Sequence, residues 1–457
     1  MSSPHSFRTS PAVVSMTGDS SGTLRKSMGV PTLVFFGLSY MVPMTVFTTY
    51  GIVNAITGGF LASAYLITLA AMLFTAYSYA FMGRRIRSAG SAYAYTRAGL
   101  GGGIGFLTGW AVMIDYVLLP MLNYLLIGLY LAQRFPSVPA WVFSLLALVL
   151  VTALNIVGIT VVKSANVILV LLQVVFFGIF FGFAARAFDP ATGPLDPFIR
   201  SDFALPAVVA GSAVLCLSFL GFDAISTMAE EAKDPTSSVP RAVILTTVIG
   251  GVFFVAVSWF AHMAHPGVVT GDGADVAAIT MLARVGGNLL TALFLAAYVT
   301  GALGSALASQ ASVSRILYAM GRDRLLPRRV FGTISRRFRT PVGAILVVAV
   351  ISISAVFADV DFVASIVSFG ALTAFSMVNL SVIATYLVRE KQRSVAAFLK
   401  YGLLPLIGFL LTAWLWTNLA GSTVLLGLGW LALGVVQLLW HTRGFTKPVP
   451  RMHLDEG

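Results

Sequence analysis

The stretch Leu217-Ser218-Phe219-Leu220-Gly221-Phe222-Asp223-Ala224-Ile225-Ser226-Thr227 places an aspartate in the middle of an apolar run. The run it belongs to, 205–229, is long enough to cross a bilayer, which takes about 20 apolar residues. An ionisable group at such depth is costly and marks a functional position. Gly221 lowers helix propensity beside it, and the Ser/Gly content lets the helix break. A broken helix at the membrane midplane, with a carboxylate at the break, is how many secondary transporters build a ligand site.

The surrounding sequence repeats the apolar pattern. Segments of the same kind fall at about 29–53, 60–81, 103–133, 139–161, 165–186, 242–264, 288–318, 342–358, 362–387, 401–419 and 422–441, twelve in all. Of 457 residues, 58% are hydrophobic and 10% charged, against about 25% charged in a soluble domain. With a mean hydropathy of +0.91, these values exclude a soluble enzyme, a disordered chain and a disulfide scaffold. The one cysteine, Cys216, forbids an intramolecular disulfide. Residues 1–28 are Ser/Thr-rich, lack the apolar core of a signal peptide and are expected to form a disordered tail, and residues 442–457 a second tail.

The net charge of +12 tests this topology. With twelve spans both termini lie on one side. Of the 29 Lys and Arg residues, 25 then fall on the side of the termini. They include Arg84, Arg85 and Arg87, the run from Arg315 to Arg339, and Arg389 to Lys400. Arg134, Arg186, Arg200 and Arg284 fall on the other. Cytoplasmic loops carry the Lys/Arg excess, so both termini are expected in the cytoplasm. The basic balance records topology and calls for no nucleic acid.

Two of the 17 acids sit in mid-span, Asp223 and Asp115, the latter in Gly109-Trp110-Ala111-Val112-Met113-Ile114-Asp115-Tyr116-Val117-Leu118-Leu119-Pro120. No Lys or Arg occupies a comparable depth. Two carboxylates without a protein cation point to a cationic ligand, a bound proton or a metal ion. The structural alternative is an aspartate that caps a broken helix or bonds to neighbouring hydroxyls. Asp115, Leu119 and Asn123 share a helix face, and Pro120 frees a backbone carbonyl near it. Tyr116 and Tyr124 add aromatic surface that can hold an ammonium group. The first segment, with Gly37, Ser39, Pro43, Thr45, Thr48, Thr49 and Gly51, is interrupted too. Interruptions in spans one and six are the spacing of an inverted five-span repeat. Glu230 and Glu231, beyond Asp223, read either as solvated interface charges or as an inner gate or relay. Gln173 is a neutral polar group in mid-span. Gly301, Gly304, Ser305, Ser309 and Ser312 form a small-residue stripe suited to close helix packing. His262 and His265, with no acid nearby, make a poor metal site. No Gly-Lys-Ser/Thr phosphate loop is present, so neither nucleotide nor other cofactor is expected.

The stretch Gly221-Phe222-Asp223-Ala224, followed by Glu230-Glu231-Ala232-Lys233-Asp234-Pro235 and Val239-Pro240-Arg241-Ala242, resembles the amino acid–polyamine–organocation transporter signature. So do Ser312-Val313-Ser314-Arg315-Ile316-Leu317-Tyr318-Ala319-Met320-Gly321-Arg322-Asp323 and Arg87-Ser88-Ala89-Gly90-Ser91-Ala92-Tyr93-Ala94-Tyr95. The resemblance covers nearly the whole chain. It implies an all-α fold of twelve helices in which two five-helix units, 29–187 and 203–388, are inverted repeats with broken helices one and six. Residues 399–441 would supply two further helices. Within the family the chain is most similar to bacterial putrescine importers. The match lies in Gly109-Trp110, Asp115-Tyr116, Leu119-Pro120-Met121 and Asn123, and in Phe219-Leu220-Gly221-Phe222-Asp223-Ala224.

That likeness implies proton-linked import of an amine across the plasma membrane by alternating access. It carries Asp115 and Asp223 over as amine ligands. Tyr40, Thr48, Tyr116, Asn123, Phe219 and Phe222 complete the expected binding set, and Glu230, Glu231 and Gln173 the expected gate or proton relay. There are departures. Gly37-Leu38-Ser39-Tyr40-Met41-Val42-Pro43-Met44 lacks the Gly-rich break that holds a substrate carboxylate in amino acid permeases, so an amine without a carboxylate fits better. Thr48 stands in the segment where putrescine importers have an acid, which leaves a monoamine open beside a diamine. Gln173 stands where some proton-coupled relatives have a lysine, so a membrane carboxylate such as Asp223 or Glu230 would carry the proton. Sodium is the less favoured coupling ion. The readings set against amine import are an amino acid permease, an integral-membrane enzyme and a channel.

Overall fold

The computed structural model describes residues 27–87, 90–268, 277–322, 326–357, 360–419 and 421–442. The expected tails lie outside this set except at their inner ends. Met28, assigned to the first tail, is fully buried and pairs with Ala232 across a single parallel bridge.

Among the described residues the regular structure is helical. In hydrocarbon every backbone polar group has to be satisfied within its own segment, which selects helices for apolar runs of this length. Among the described residues, eleven helices are long and apolar enough to cross a membrane. They match the first eight and last three apolar segments of the sequence. The ninth segment forms a shorter helix, Val342–Ser352, prolonged by a 3-10 turn over Ile353–Phe357. The eighth is longer than its apolar pattern: helical structure runs over Ala277–Arg322 and kinks at Gly287, whose φ is +62°. The third runs from Gly102 to Arg134 without interruption at Pro120.

The first and sixth segments break where expected. A helix over Val30–Met41 stops at Val42, which has φ +48°, and resumes at Thr45. Proline has no N–H and disfavours helical geometry in the residue before it, which accounts for a stop at Val42-Pro43. The sixth is α-helical over Leu205–Leu215, tightens to a 3-10 turn over Cys216–Phe219, and opens at Leu220–Asp223. It then resumes as 3-10 helix over Ala224–Glu231. Gly221 sits in the opening with φ +134°.

The two breaks touch. A Cβ on Gly221 would lie 2.9 Å from Gly37 O and 2.9 Å from Met41 N, so only glycine lets the backbones meet. Around this pair the second span packs along the seventh, and the third lies against the eighth and the tenth. The fifth lies against the eighth. The third and tenth are among the most enclosed, while the eleventh and twelfth are the least. Exposed Leu146, Val149, Val175, Leu425 and Val436 face outward, as lipid contact requires.

Candidate functional site

The opening of the sixth span sets Asp223 in the interior. Its Oδ1 accepts the backbone N–H of Gly221 at 3.1 Å, so the carboxylate caps its own break. Its Oδ2 accepts the hydroxyl of Tyr116, from the third span, at 2.5 Å. The structural role expected of Asp223, a carboxylate capping a broken helix and bonded to a neighbouring hydroxyl, is thus present.

Asp115 lies one residue before Tyr116 and is 2% exposed. It is close enough to Asp223 for their charges to interact. The tenth span passes tightly behind it: a Cβ on Gly370 would be 3.0 Å from the Cβ of Asp115 and 2.7 Å from Ala111 O. Asp115 Oδ1 has no hydrogen-bond partner among the described residues. None of the ion pairs among the described residues involves Asp115 or Asp223.

Tyrosines enclose the two carboxylates. Tyr40, just before the first break, meets Tyr116 edge to face with ring centroids 6.2 Å apart. Tyr79, from the second span, lies 5.7 Å from Phe222 and 5.7 Å from Tyr95. Phe222 stacks on Phe375 at 5.1 Å. Tyr40, Tyr79 and Tyr116 all lie within electrostatic reach of both aspartates. The hydroxyls of Tyr40 and Tyr79 are buried without a partner among the described residues. A short helix, Ser91–Leu100, brings Ser91 Oγ to 3.5 Å from the Tyr116 hydroxyl and 2.8 Å from Ser226 Oγ. Ser91 has φ +47° and is fully buried.

The sequence named Asp115, Asp223, Tyr116, Tyr40 and Phe222, and these converge. Tyr79, Tyr95, Ser91, Ser226 and Phe375 were not singled out. Tyr95 and Ser91 do sit in the quoted Arg87–Tyr95 motif. Tyr79 had only its place in an apolar span as a signal.

Other expected site residues lie elsewhere. Phe219 packs on Phe254 at 5.4 Å. Thr48 is partly exposed and donates to Thr45 O in its own helix. Asn123 donates to Leu119 O and to Ser305 Oγ, and Ser305 Oγ donates to Tyr40 O at 2.8 Å. Asn123 thus holds the broken end of the first span through Ser305. Gln173 is fully buried, donates to Leu169 O and abuts Gly301. Gly304 meets Ser39 in the same way, so the small-residue stripe admits close packing.

Glu231 is not solvated. It forms a buried ion pair with Arg315, whose Nη1 also donates to Ala311 O at 2.7 Å. Arg315, sorted above as a loop charge, lies inside the eighth helix and is 4% exposed. The helix continues past it to Arg322 and sets the arginine against Glu231 of the sixth span. Glu230 lies 3.4 Å from Arg322. The backbone carbonyl of Glu231 accepts from Ser27 N and Met28 N at 2.9 and 3.0 Å, closing this end of the sixth span against the N-terminal segment.

The amino acid permease family model matches residues 29–442. The chain belongs to the amino acid permease family. This permease is 36% identical to the low-affinity putrescine importer PlaP of Escherichia coli K12 over 434 residues, 94% of this chain and 96% of the relative. It is 26% identical to the branched-chain amino acid permease BcaP of Bacillus subtilis over 452 residues, 93% and 95% of the two chains. It is 25% identical to the methylthioribose transporter of Bacillus subtilis over 462 residues, 96% and 98% of the two. The permease is thus a multi-pass membrane transporter with a buried carboxylate pair, walled by tyrosines, at the meeting of its two broken helices.

Proposed function

We propose that the protein is a secondary transporter that imports a cationic amine, a putrescine-like diamine or a monoamine, coupled to protons by alternating access. The observation that carries this reading is the pair Asp115 and Asp223, buried within electrostatic reach of each other and outside every protein ion pair among the described residues. Two carboxylates so placed are stabilised by an ammonium group or by a shared proton. With the ammonium group on one carboxylate and a proton on the other, amine and proton cross together in the same direction. The tyrosine rings present π faces to the ammonium. The likeness to a putrescine importer supports the same substrate class.

The two aspartates divide the task. Asp223 has both oxygens engaged, by Gly221 and Tyr116. Asp115 keeps an acceptor without a partner among the described residues. Asp115 is therefore the primary amine ligand, and Asp223 links the ligand to the break in the sixth span. A substrate carboxylate is not catered for, because Pro43 removes a donor at the first break.

The packing supports a five-plus-five inverted repeat completed by two further helices. Spans three and ten pack as do spans eight and five, and spans one and seven pack as do spans six and two. Each pair maps onto the other when five is added to or subtracted from the span number. With the ninth helix counted, twelve crossings put both termini in the cytoplasm of a bacterial-type inner membrane, by the distribution of Lys and Arg.

The test is uptake by the purified protein in sealed vesicles. Labelled putrescine should accumulate when the lumen is alkaline relative to the outside, and unlabelled monoamines and diamines should compete. Accumulation driven by a sodium gradient and indifferent to pH removes the proton. Competition by leucine but by no amine replaces the amine with an amino acid.

A further inference from the structure

At the arginine-rich end of the second span, Arg84 and Lys400 lie over the same aromatic ring. The Arg84 guanidinium carbon is 5.4 Å, and the Lys400 ammonium 5.1 Å, from the centroid of Phe81. Lys400 also lies 5.4 Å from the centroid of Tyr401. Tyr401 stacks on Tyr386 at 4.2 Å and meets Phe81 edge to face at 5.1 Å, so the platform under the cations is rigid. Two cations on one platform raise the local positive potential, which an anion would neutralise.

The protein does not supply one among the described residues. The carboxylate of this region, Glu390, forms an ion pair with Arg85, and its second oxygen accepts Gln392 Nε2 at 2.9 Å. Arg389 donates to Ala98 O, and Lys391 and Arg393 add charge of the same sign. Neither Arg84 nor Lys400 takes part in an ion pair among the described residues.

The rim of the patch is apolar. Val388, Val395, Phe398 and Leu399 are exposed, Val395 to 78%. Val395 to Phe398 form a single helical turn at the start of the eleventh span, with Ser394 as its cap. A soluble anion has no use for such a rim, whereas acyl chains do.

We propose that Arg84 and Lys400 bind the phosphate headgroup of an anionic phospholipid, whose chains lie on the apolar rim at Val388, Val395 and Phe398. Basic clusters between helix ends recognise such headgroups through charge and hydrogen-bond donors together. The site ties the end of the second span to the start of the eleventh.

The test compares the purified protein in nanodiscs of phosphatidylcholine with and without phosphatidylglycerol, reading lipid adducts by native mass spectrometry and the unfolding temperature. The wild type should retain phosphatidylglycerol and gain stability from it. R84Q/K400Q should lose roughly thirtyfold in lipid affinity, about fivefold for each charge. R84K/K400R should retain it, which separates charge from packing and shows that the site tolerates exchange. R328Q/R329Q, an equal loss of charge on exposed residues elsewhere at that end, should bind as the wild type does. If R328Q/R329Q loses as much lipid as R84Q/K400Q, binding is a general surface potential and the site is overturned. It is overturned as well if inorganic phosphate in detergent stabilises the wild type as fully as phosphatidylglycerol.

Discussion

Asp115 and Asp223 are chemically alike, yet their surroundings give them different work. Neutralising Asp115 in Asp115→Asn removes a charged partner from the amine, a loss of about 2 kcal/mol. That is roughly thirtyfold in Kd, read by calorimetry with putrescine, with the fold intact. An unchanged Kd would remove Asp115 from the ligand set. Asp223→Asn should abolish transport and also lower stability, because the amide cannot accept from both Gly221 and Tyr116 in the same geometry. Tyr116→Phe isolates one of these bonds: it should cost stability modestly and leave amine binding measurable. Gly221 allows a stricter test. Alanine at φ +134° is strained, and its Cβ would meet the backbone of Gly37 and Met41 at 2.9 Å. Gly221→Ala should therefore lower the unfolding temperature and stop transport together, whereas Gly178→Ala, where a Cβ meets open space, should do neither. The carboxylates were legible in the sequence because a charge inside an apolar run stands out. Tyr79 and Phe375 were not, since tyrosine and phenylalanine are ordinary in such runs and only the fold shows that Tyr79 comes near Asp223 and that Phe375 stacks on Phe222.

At the scale of elements, the breaks in spans one and six were legible for a local reason: Pro43 and Gly221 act on the backbone where they stand. The ion pair between Glu231 and Arg315 was not, because it joins residues 84 apart in the chain, and only the packing of the eighth helix against the end of the sixth brings them together. The pair makes a distinct prediction. Removing one partner leaves a buried charge alone, which costs about 3–5 kcal/mol, whereas replacing both with apolar residues of similar size is close to neutral. Glu231→Gln and Arg315→Met should each lower the unfolding temperature markedly, and Glu231→Leu with Arg315→Met should recover most of the loss. If the pair also holds the inner end of the sixth span closed, the recovered double variant should stay folded while its net uptake changes. A double variant with wild-type uptake would make the pair a structural fastening alone.

At the scale of the whole molecule, the proposed orientation rests on charge. With the termini on the cytoplasmic side, 25 of the 29 Lys and Arg residues lie there. A single crossing added or lost would reverse the assignment of every later loop and scatter that excess. The ninth helix, Val342–Ser352, is the shortest of the set and so the critical one. If it crosses the membrane, the loop between spans three and four and the loop between spans ten and eleven lie on opposite faces; if it does not, they share one. The chain suits a direct measurement, because its one cysteine, Cys216, is buried and can be replaced by alanine. In that background, Ser137→Cys places a thiol at an exposed loop position and Ala396→Cys one on the exposed helical turn that opens the eleventh span. A membrane-impermeant maleimide added to intact cells should label position 137, and should reach position 396 only after permeabilisation. Labelling of both in intact cells would mean that the ninth helix turns back without crossing, and the five-plus-five repeat would fall with it.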